Sequence, residues 1–240
     1  MPSLELQGLI LAGGEGSRLL AEGVTVPKPM VRVAGRPQIV HLVETLKALG
    51  CPTITCLVRD EFPDVVAKLV RRPWRGSVRV HACRTPSSLH TLVEGLAQLP
   101  AGPVFATMVD TVMRPDDWCT VFERARSDIA SGADAVLAVT PFVDDEAALY
   151  VSVDVGGRVR RLSDRPMEPR CVTGGVYALA AGTRALACEA VDAGVSRMRN
   201  FLSRLVDGGS VVRAVSVPRI IDLDHLGDLE AANAWLDHHG

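Results

Sequence analysis

Gly8-Leu9-Ile10-Leu11-Ala12-Gly13-Gly14-Glu15-Gly16-Ser17-Arg18-Leu19, followed by Pro27-Lys28-Pro29, is the stretch on which the reading of this chain turns. An apolar run ends abruptly in glycines, then offers a serine, an arginine and a proline-flanked lysine. Glycine after a strand lets the backbone come close to a bound group, because no Cβ intervenes. Backbone N–H groups turned out of such a loop form a concavity that favours anions such as phosphate. Arg18 and Lys28 add full positive charges where the backbone supplies only partial ones. The stretch reads as a triphosphate site made by Leu11, Ala12, Gly13, Gly14, Gly16, Ser17 and Arg18, with Lys28 beside it.

A tight strand-to-helix connection with no ligand would also use glycines. Two features weigh against it. The glycine- and proline-punctuated segment covers residues 13–30, whereas connections in α/β units usually take about 2–6 residues. It also holds two cations that a structural turn does not need. The G-K-[ST] ending of a P-loop is missing, and no helix starts inside the glycines, which disfavours a dinucleotide turn.

Working outward, strands are expected over 6–12, 53–58, 78–82 and 103–109, the last ending at Asp110. Residues 31–36 look like a short hairpin. After Pro37, Ile39, Val40, Leu42, Val43, Leu46 and Leu49 recur at helical spacing, and Gly50 stops that helix. Further helices are expected over 64–72 and 88–99. This alternation implies an α/β, Rossmann-like fold with right-handed crossovers and a mostly parallel sheet. The pattern then loosens: helix 116–131, strand 133–140, a hairpin of 150–155 and 158–162, strand 171–179, helices 183–192 and 198–207, strand 211–217 and helix 226–237. The expectation is one domain over 1–240, with a nucleotide-binding half at 1–132 and an acceptor-binding half at 133–240.

The 240 residues suffice for one large core, and such a chain buries roughly 70–75% of its unfolded surface. With 48% hydrophobic but only 4% aromatic residues, that core must be Val, Leu, Ala and Ile. The 26 basic and 28 acidic residues are well mixed, which leaves no electrostatic case for nucleic acid as the main partner. The partner should be small. The six cysteines have no C-x-x-C pair and read as reduced and mostly buried. There is no secretory leader pattern and no apolar run long enough to span a bilayer, so no membrane partner is expected and the cytoplasm is the expected location.

The segment "LILAGGEGSRL…PKPMVRVAGRPQIVHLVETLKALG" closely resembles the opening of the nucleotidyltransferases that activate sugar phosphates, the nucleoside-diphosphate-sugar pyrophosphorylases of the GT-A-like superfamily. A G-G-x-G-[ST]-R-L loop, P-K-P, and G-x-P before a helix occur here in that order. The resemblance implies a three-layer α/β/α fold around a mixed central sheet. It implies transfer of a nucleotidyl group from a nucleoside triphosphate to a small phosphorylated acceptor, a sugar 1-phosphate first, with Mg²⁺ as cofactor. Arg18, Lys28 and Asp110 would carry the catalysis. Arg18 and the loop amides would hold the β- and γ-phosphates, and Lys28 the charge growing at the α-phosphate.

The resemblance assigns the metal to Asp110, at the end of the fourth strand, and to one of two aspartates in "RIIDLDHLGDLEAANAWL": the family's spacing to the last helix favours Asp222, and relatives with a D-x-D form favour Asp224. Asp228 there is the cap or first turn of the last helix. "CVTGGVYAL" resembles the segment whose backbone lies against the sugar, which makes Thr173, Gly174 and Gly175 acceptor residues; a β-bulge is the other reading of the two glycines. Arg165 stands where relatives carry the lysine of E-K-P, with Arg160 and Arg161 as neighbours. The base-reading segment departs from the family pattern: "CRTPSSLHTLVEGL" offers Ser87 and Ser88 for base or ribose, and Arg84 in place of a glutamine. Three other outcomes are open. One is a cytidylyltransferase for a non-sugar phosphomonoester such as phosphocholine, and another a non-catalytic regulatory subunit that binds nucleotide-sugar. A molybdopterin guanylyltransferase-like enzyme is a weaker option, since its loop is shorter and lacks P-K-P. No C-terminal β-helix of the bifunctional acyltransferase forms is expected, and apolar faces on the later helices would suit a homodimer.

Overall fold

The computed structural model describes residues 4–71, 74, 76–143 and 147–237. β1 (Gln7–Ala12) leads through a short helix α1 (Ser17–Ala21), a 3-10 turn (Lys28–Met30) and a hairpin of β2 (Arg32–Val33) and β3 (Arg36–Pro37) into α2 (Gln38–Ala48). Then come β4 (Ile54–Arg59), α3 (Pro63–Val70), β5 (Val78–Cys83), α4 (Ser88–Ala97) and β6 (Val104–Met108). The two-residue strand β7 (Thr111–Val112) precedes α5 (Pro115–Ala130), β8 (Ala135–Thr140), the hairpin β9 (Tyr150–Val153) and β10 (Val159–Ser163), and the long β11 (Val172–Leu179). The chain closes with α6 (Thr183–Asp192), α7 (Met198–Asp207), β12 (Val212–Ser216), β13 (Ile221–Asp222) and α8 (Leu226–Asp237). Arg72, expected as the end of the second long helix, lies outside the described residues.

β5, β4, β1 and β6 run parallel, β11 runs against β6, and β8 and β12 follow parallel to each other but against β11. Among these seven strands the single reversal at β11 makes the sheet mixed while four of the six neighbouring pairs stay parallel, and strands of both halves share it. The hairpin β9–β10 joins where Val172 pairs with Tyr150. Alternation decides which layer each side chain enters. Ile10 packs with α2, α3 and α5, while Leu9 and Leu11 pack with α4, α6 and α7. The central strands β1, β4 and β8 are covered on both faces, which is why they read as nearly unbroken apolar runs, whereas the edge strand β5 alternates. At Gly95, an added Cβ would stand 2.7 Å from Leu9 Cδ1, so glycine lets α4 lie close against β1.

A third, smaller cluster has no counterpart in the sequence reading. β7 pairs with β13, and Leu19, Val31, Val33, Val112, Ile221, Leu223 and Ala232 pack around that junction. It fastens the glycine loop and the segment before α8 to the end of β6.

β11 loses register with β8 between Thr173 and Tyr177, the irregularity expected of a bulge at Gly174-Gly175. A Cβ on Gly174 would stand 2.4 Å from Ile220 Cδ1. Gly174→Ala is expected to destabilise the protein by about 1–3 kcal/mol, the usual cost of overpacking a filled site. Urea unfolding with an unchanged midpoint would show instead that Ile220 yields at no cost.

All six cysteines are free thiols, but only Cys51, Cys56 and Cys83 are buried; Cys119 and Cys188 lie exposed on α5 and α6 and Cys171 is half-buried. Among the described residues no helix is long and apolar enough to cross a membrane.

Candidate active site

From β1 the chain moves outward to β4 and β5, then crosses back over β1 to β6. The order of the parallel strands thus reverses between β1 and β6, and at such a switch point a crevice opens beyond their carboxyl ends. The glycine loop leaves β1 there and Asp110 follows β6. Because β11 is reversed, its first residues, including Thr173, reach the same edge.

Lys28 is the centre of this edge. Its side chain is only 9% exposed, and its Nζ lies 2.7 Å from Asp110 Oδ2 and 2.7 Å from Asp224 Oδ1. Arg18 Nη1 donates to the other oxygen of Asp224 at 2.6 Å. Burial disfavours the Lys28 ammonium, but attraction to Asp110 and then Asp224 outweighs it and holds the group above the ordinary lysine value. Burial likewise opposes the charge on Asp224, and Lys28 and Arg18 overcome it, leaving this carboxyl below the usual range. Gly16 is needed here for two reasons: its φ is +66°, and a Cβ would come within 2.9 Å of Lys28 Cβ.

The carboxylates are held by backbone contacts. Leu223 N–H donates to the Asp110 carbonyl at 3.1 Å. Asp228 Oδ2 accepts from Asp224 N–H at 3.0 Å and His225 N–H at 2.6 Å, so Asp228 binds the entry to α8 from its first turn. Asp222 sits opposite Thr111 across the β13–β7 pair. Burial, followed by the charges of Asp222 and Asp110, pushes the Tyr177 phenol well above its usual value. Of the two late aspartates, Asp224 shares Lys28 with Asp110, while Asp222 lies alongside in the cleft wall.

Two clefts adjoin this edge and meet at Ser88 and Met108, with Lys28 lining neither. The first, of about 670 Å³, is walled by Leu11, Gly13, Gly14, Gly16, Ser17, Ser87 and Ser88, seven of the expected nucleotide residues. Ala12 lies fully buried beneath it. Arg18 lines the second cleft, of about 440 Å³, together with Asp110, Thr173, Gly175, Asp222 and Asp224. Gly174 faces Ile220 in a small adjoining cavity.

Arg165 is exposed, with its N–H on Ser163 Oγ, and it lines neither cleft. Arg160 pairs with Asp154 on the β9–β10 hairpin. The cations in the second cleft besides Arg18 are Arg197 and Arg199, which the sequence reading passed over. Arg199 is anchored to Asp164 at 2.7 Å and to the Ala147 carbonyl at 2.6 Å. Arg197 has φ 68°, and its N–H donates to Ser87 Oγ at 3.2 Å, while Met198 N–H donates to Ser88 Oγ at 2.9 Å. Ser87 and Ser88 thus tie the start of α7 to the start of α4. In the first cleft the unanticipated residue is Arg59, the last of β4. A cation at the carboxyl end of a predicted parallel strand is a readable signal; Arg197 and Arg199 carry none.

Gly14 is a sharper case than its neighbours. An added Cβ at Gly13 would meet Thr91 Oγ1 at 2.9 Å, but at Gly14 it would meet nothing within 4 Å. Gly14→Ala is therefore expected to melt like the wild type while a methyl group enters the first cleft. Triphosphate binding, measured by calorimetry, should weaken roughly 5- to 150-fold, the equivalent of about 1–3 kcal/mol of steric cost. Undiminished affinity would mean that no ligand approaches there.

The model of a family described as "MobA-like NTP transferase domain" matches residues 8–192. A mannose-1-phosphate guanyltransferase of Pichia angusta is 27% identical over 184 residues, which are 72% of this chain and 49% of that protein. A glucose-1-phosphate thymidylyltransferase of an Actinoplanes species is 27% identical over 168 residues, 69% of this chain and 54% of that one. The chain spans about half the length of these curated relatives. Among solved structures, the inositol-1-phosphate CTP transferase from T. maritima superposes with a TM-score of 0.80 at 18% identity, over 97% of this chain and 96% of that one. That likeness establishes the fold.

Proposed function

We propose that this chain, which belongs to the MobA-like NTP transferase domain family, is a nucleotidyltransferase that joins a nucleoside triphosphate to a sugar 1-phosphate and releases pyrophosphate. The observation that supports this most is Lys28 held between Asp110 and Asp224, beside the glycine loop, at the edge that the two clefts adjoin. The named activities of the relatives from Pichia angusta and Actinoplanes both use a hexose 1-phosphate and a nucleotide, which fits a two-cleft site.

In this reading the triphosphate enters the first cleft and the acceptor the second. An acceptor phosphate oxygen attacks the α-phosphorus in line, the bond from that phosphorus to the β-phosphate oxygen breaks, and pyrophosphate leaves with the bonding electrons. The nucleophile is already an anion, so the site needs position and charge rather than a strong base. Lys28 stays charged and follows the negative charge that grows at the α-phosphate. The amides of residues 13–17 hold the outer phosphates, with Arg18 reaching toward them from the wall of the second cleft, where it also pairs with Asp224. Arg197 and Arg199 line the acceptor cleft, whereas Arg165 would have to swing inward from its exposed position to reach an acceptor phosphate.

Asp110 and Asp224 offer hard carboxylate oxygens around one shared cation, a donor set that fits Mg²⁺. Among the described residues no three His, Cys, Asp or Glu side chains form a cage of their own. That also fits Mg²⁺, which commonly takes one or two carboxylates and completes its shell with substrate oxygens and water. Bound there, the ion would neutralise phosphoryl charge. We place the reaction in the cytoplasm, with its soluble substrates. A purely regulatory binder has no need of a lysine buried between two carboxylates, and this favours the enzyme over the subunit reading.

The test is pyrophosphate release over a panel of nucleoside triphosphates and phosphomonoesters, with and without Mg²⁺. Release is expected only when a triphosphate, a sugar 1-phosphate and Mg²⁺ are all present. Release with phosphocholine and CTP alone would select the non-sugar acceptor. Silence throughout, with stabilisation by nucleotide-sugars, would select the regulatory binder.

A further inference from the structure

Arg59 has no task in the reaction just described, yet it stands in the nucleotide cleft. Its side chain is only 12% exposed. Nε is buried with no hydrogen-bond partner among the described residues. Nη1 reaches the Gly13 carbonyl at a long 3.4 Å, and Nη2 meets Glu61 at 3.1 Å and Glu15 at 3.5 Å. A guanidinium taken this far out of water is costly unless its donors find good acceptors. The contacts it has leave that capacity partly unused.

The polar side chains on the β5–α4 side of the cleft are already engaged. Thr85 and Thr91 hydroxyls bond each other at 2.5 Å. Ser87 and Ser88 hold α7, and Ser87 also bonds His90 Nδ1 at 2.8 Å. Arg84 is 65% exposed and paired with both Asp60 and Glu61. Arg59 remains as the inward-placed donor. Arg59 ends β4, and its Nη1 and Nη2 reach Gly13 and Glu15 at the start of the glycine loop, the part next to β1. The reacting phosphate belongs at Lys28 and Asp110, beyond β6; β4 lies two strands away across β1. Two strand spacings are roughly 10 Å, the reach of a nucleoside rather than of one phosphate.

We propose that Arg59 reads the nucleobase and that the base it selects is guanine. This rests on the nucleotidyltransferase reading. A guanidinium only donates, through a planar fork. Guanine shows two adjacent acceptors, O6 and N7, on one edge, which the fork can engage together. Adenine replaces one of them with the N6 donor, so donor would face donor. Cytosine presents its N4 donor on the equivalent edge, and uracil or thymine a single O4 acceptor.

The test is calorimetric binding of GTP, ITP, 7-deaza-GTP, ATP, CTP, UTP and dTTP to wild type, Arg59→Lys and Arg59→Gln, with melting temperatures to verify folding. Wild type is expected to bind GTP and ITP alike, because the 2-amino group is not read. ATP should bind roughly 5- to 150-fold more weakly, the discrimination of one bidentate contact. Loss of N7 in 7-deaza-GTP should remove part of the advantage, and Arg59→Lys, which lacks the fork, most of it. Arg59→Gln should turn the preference toward ATP, since an amide pairs with N6 and N7 of adenine. If Arg59→Gln fails to fold, the analogue series on wild type and Arg59→Lys decides. Preference for ATP or a pyrimidine in wild type, or a GTP preference unmoved by the substitutions, would overturn the assignment alone. No binding of any triphosphate would overturn the nucleotidyltransferase reading, and this inference with it.

Discussion

Lys28→Ala is expected to lower kcat by on the order of 10²-fold or more, with a smaller effect on KM. The reason is electrostatic. The ammonium is almost wholly out of water, two carboxylates hold it charged, and it lies where charge develops as the phosphoryl bond breaks. Removing one well-placed donor from such a site costs about 10²–10³-fold. The substitution also leaves Asp110 and Asp224 without their shared cation. A fully buried pair broken this way costs about 3–5 kcal/mol, but these side chains are 19% and 33% exposed and Arg18 stays on Asp224, so the cost here should be smaller. Mg²⁺ should therefore raise the melting temperature of Lys28→Ala more than that of wild type, because the ion can take the place of the missing ammonium. Near-normal turnover would remove Lys28 from the chemistry. A variant indifferent to Mg²⁺ would separate the two aspartates from metal binding.

Asp110→Asn tests the other side of the same contact. The amide keeps the shape of the side chain and can still accept a hydrogen bond from Lys28, but it loses the negative charge that a divalent cation requires. Turnover is expected to fall on the order of 10²–10³-fold. In parallel, the thermal stabilisation that a triphosphate gives in the presence of Mg²⁺ should shrink toward the value without metal. Loss of turnover with the Mg²⁺-dependent shift intact would leave Asp110 as an anchor for Lys28 and assign the ion elsewhere.

The path from sequence to site was uneven, for physical reasons. The central parallel strands β1 and β4 were legible because burial on both faces makes them short apolar runs, and α2 because six apolar residues recur at helical spacing before Gly50. The β2–β3 turn was legible too, since Ala34-Gly35 takes the left-handed geometry that glycine favours, with φ of 47° and 73°. β7 and β13 were invisible, since two residues carry no periodicity. Yet that pairing brings the segment of Asp222 and Asp224 beside Asp110, so the spacing along the chain, which favours Asp222, does not show that it is Asp224 that meets Lys28.

Arg197 and Arg199 were missed in the same way, being isolated cations whose surroundings come from distant segments, whereas Arg59 carries a readable signal at the end of β4. Arg165 was named from its place before a proline and lies on the surface outside both clefts. The sequence by itself determined the α/β fold, the glycine loop at the end of β1 and the charged residues that gather there, because each rests on local chemistry repeated over several positions. Tertiary structure alone decided that Lys28 stands between Asp110 and Asp224 and which arginines line each cleft. Those facts depend on contacts across up to some 200 residues, such as Lys28 to Asp224 at a separation of 196, and they exist only once the sheet has set its strand ends side by side.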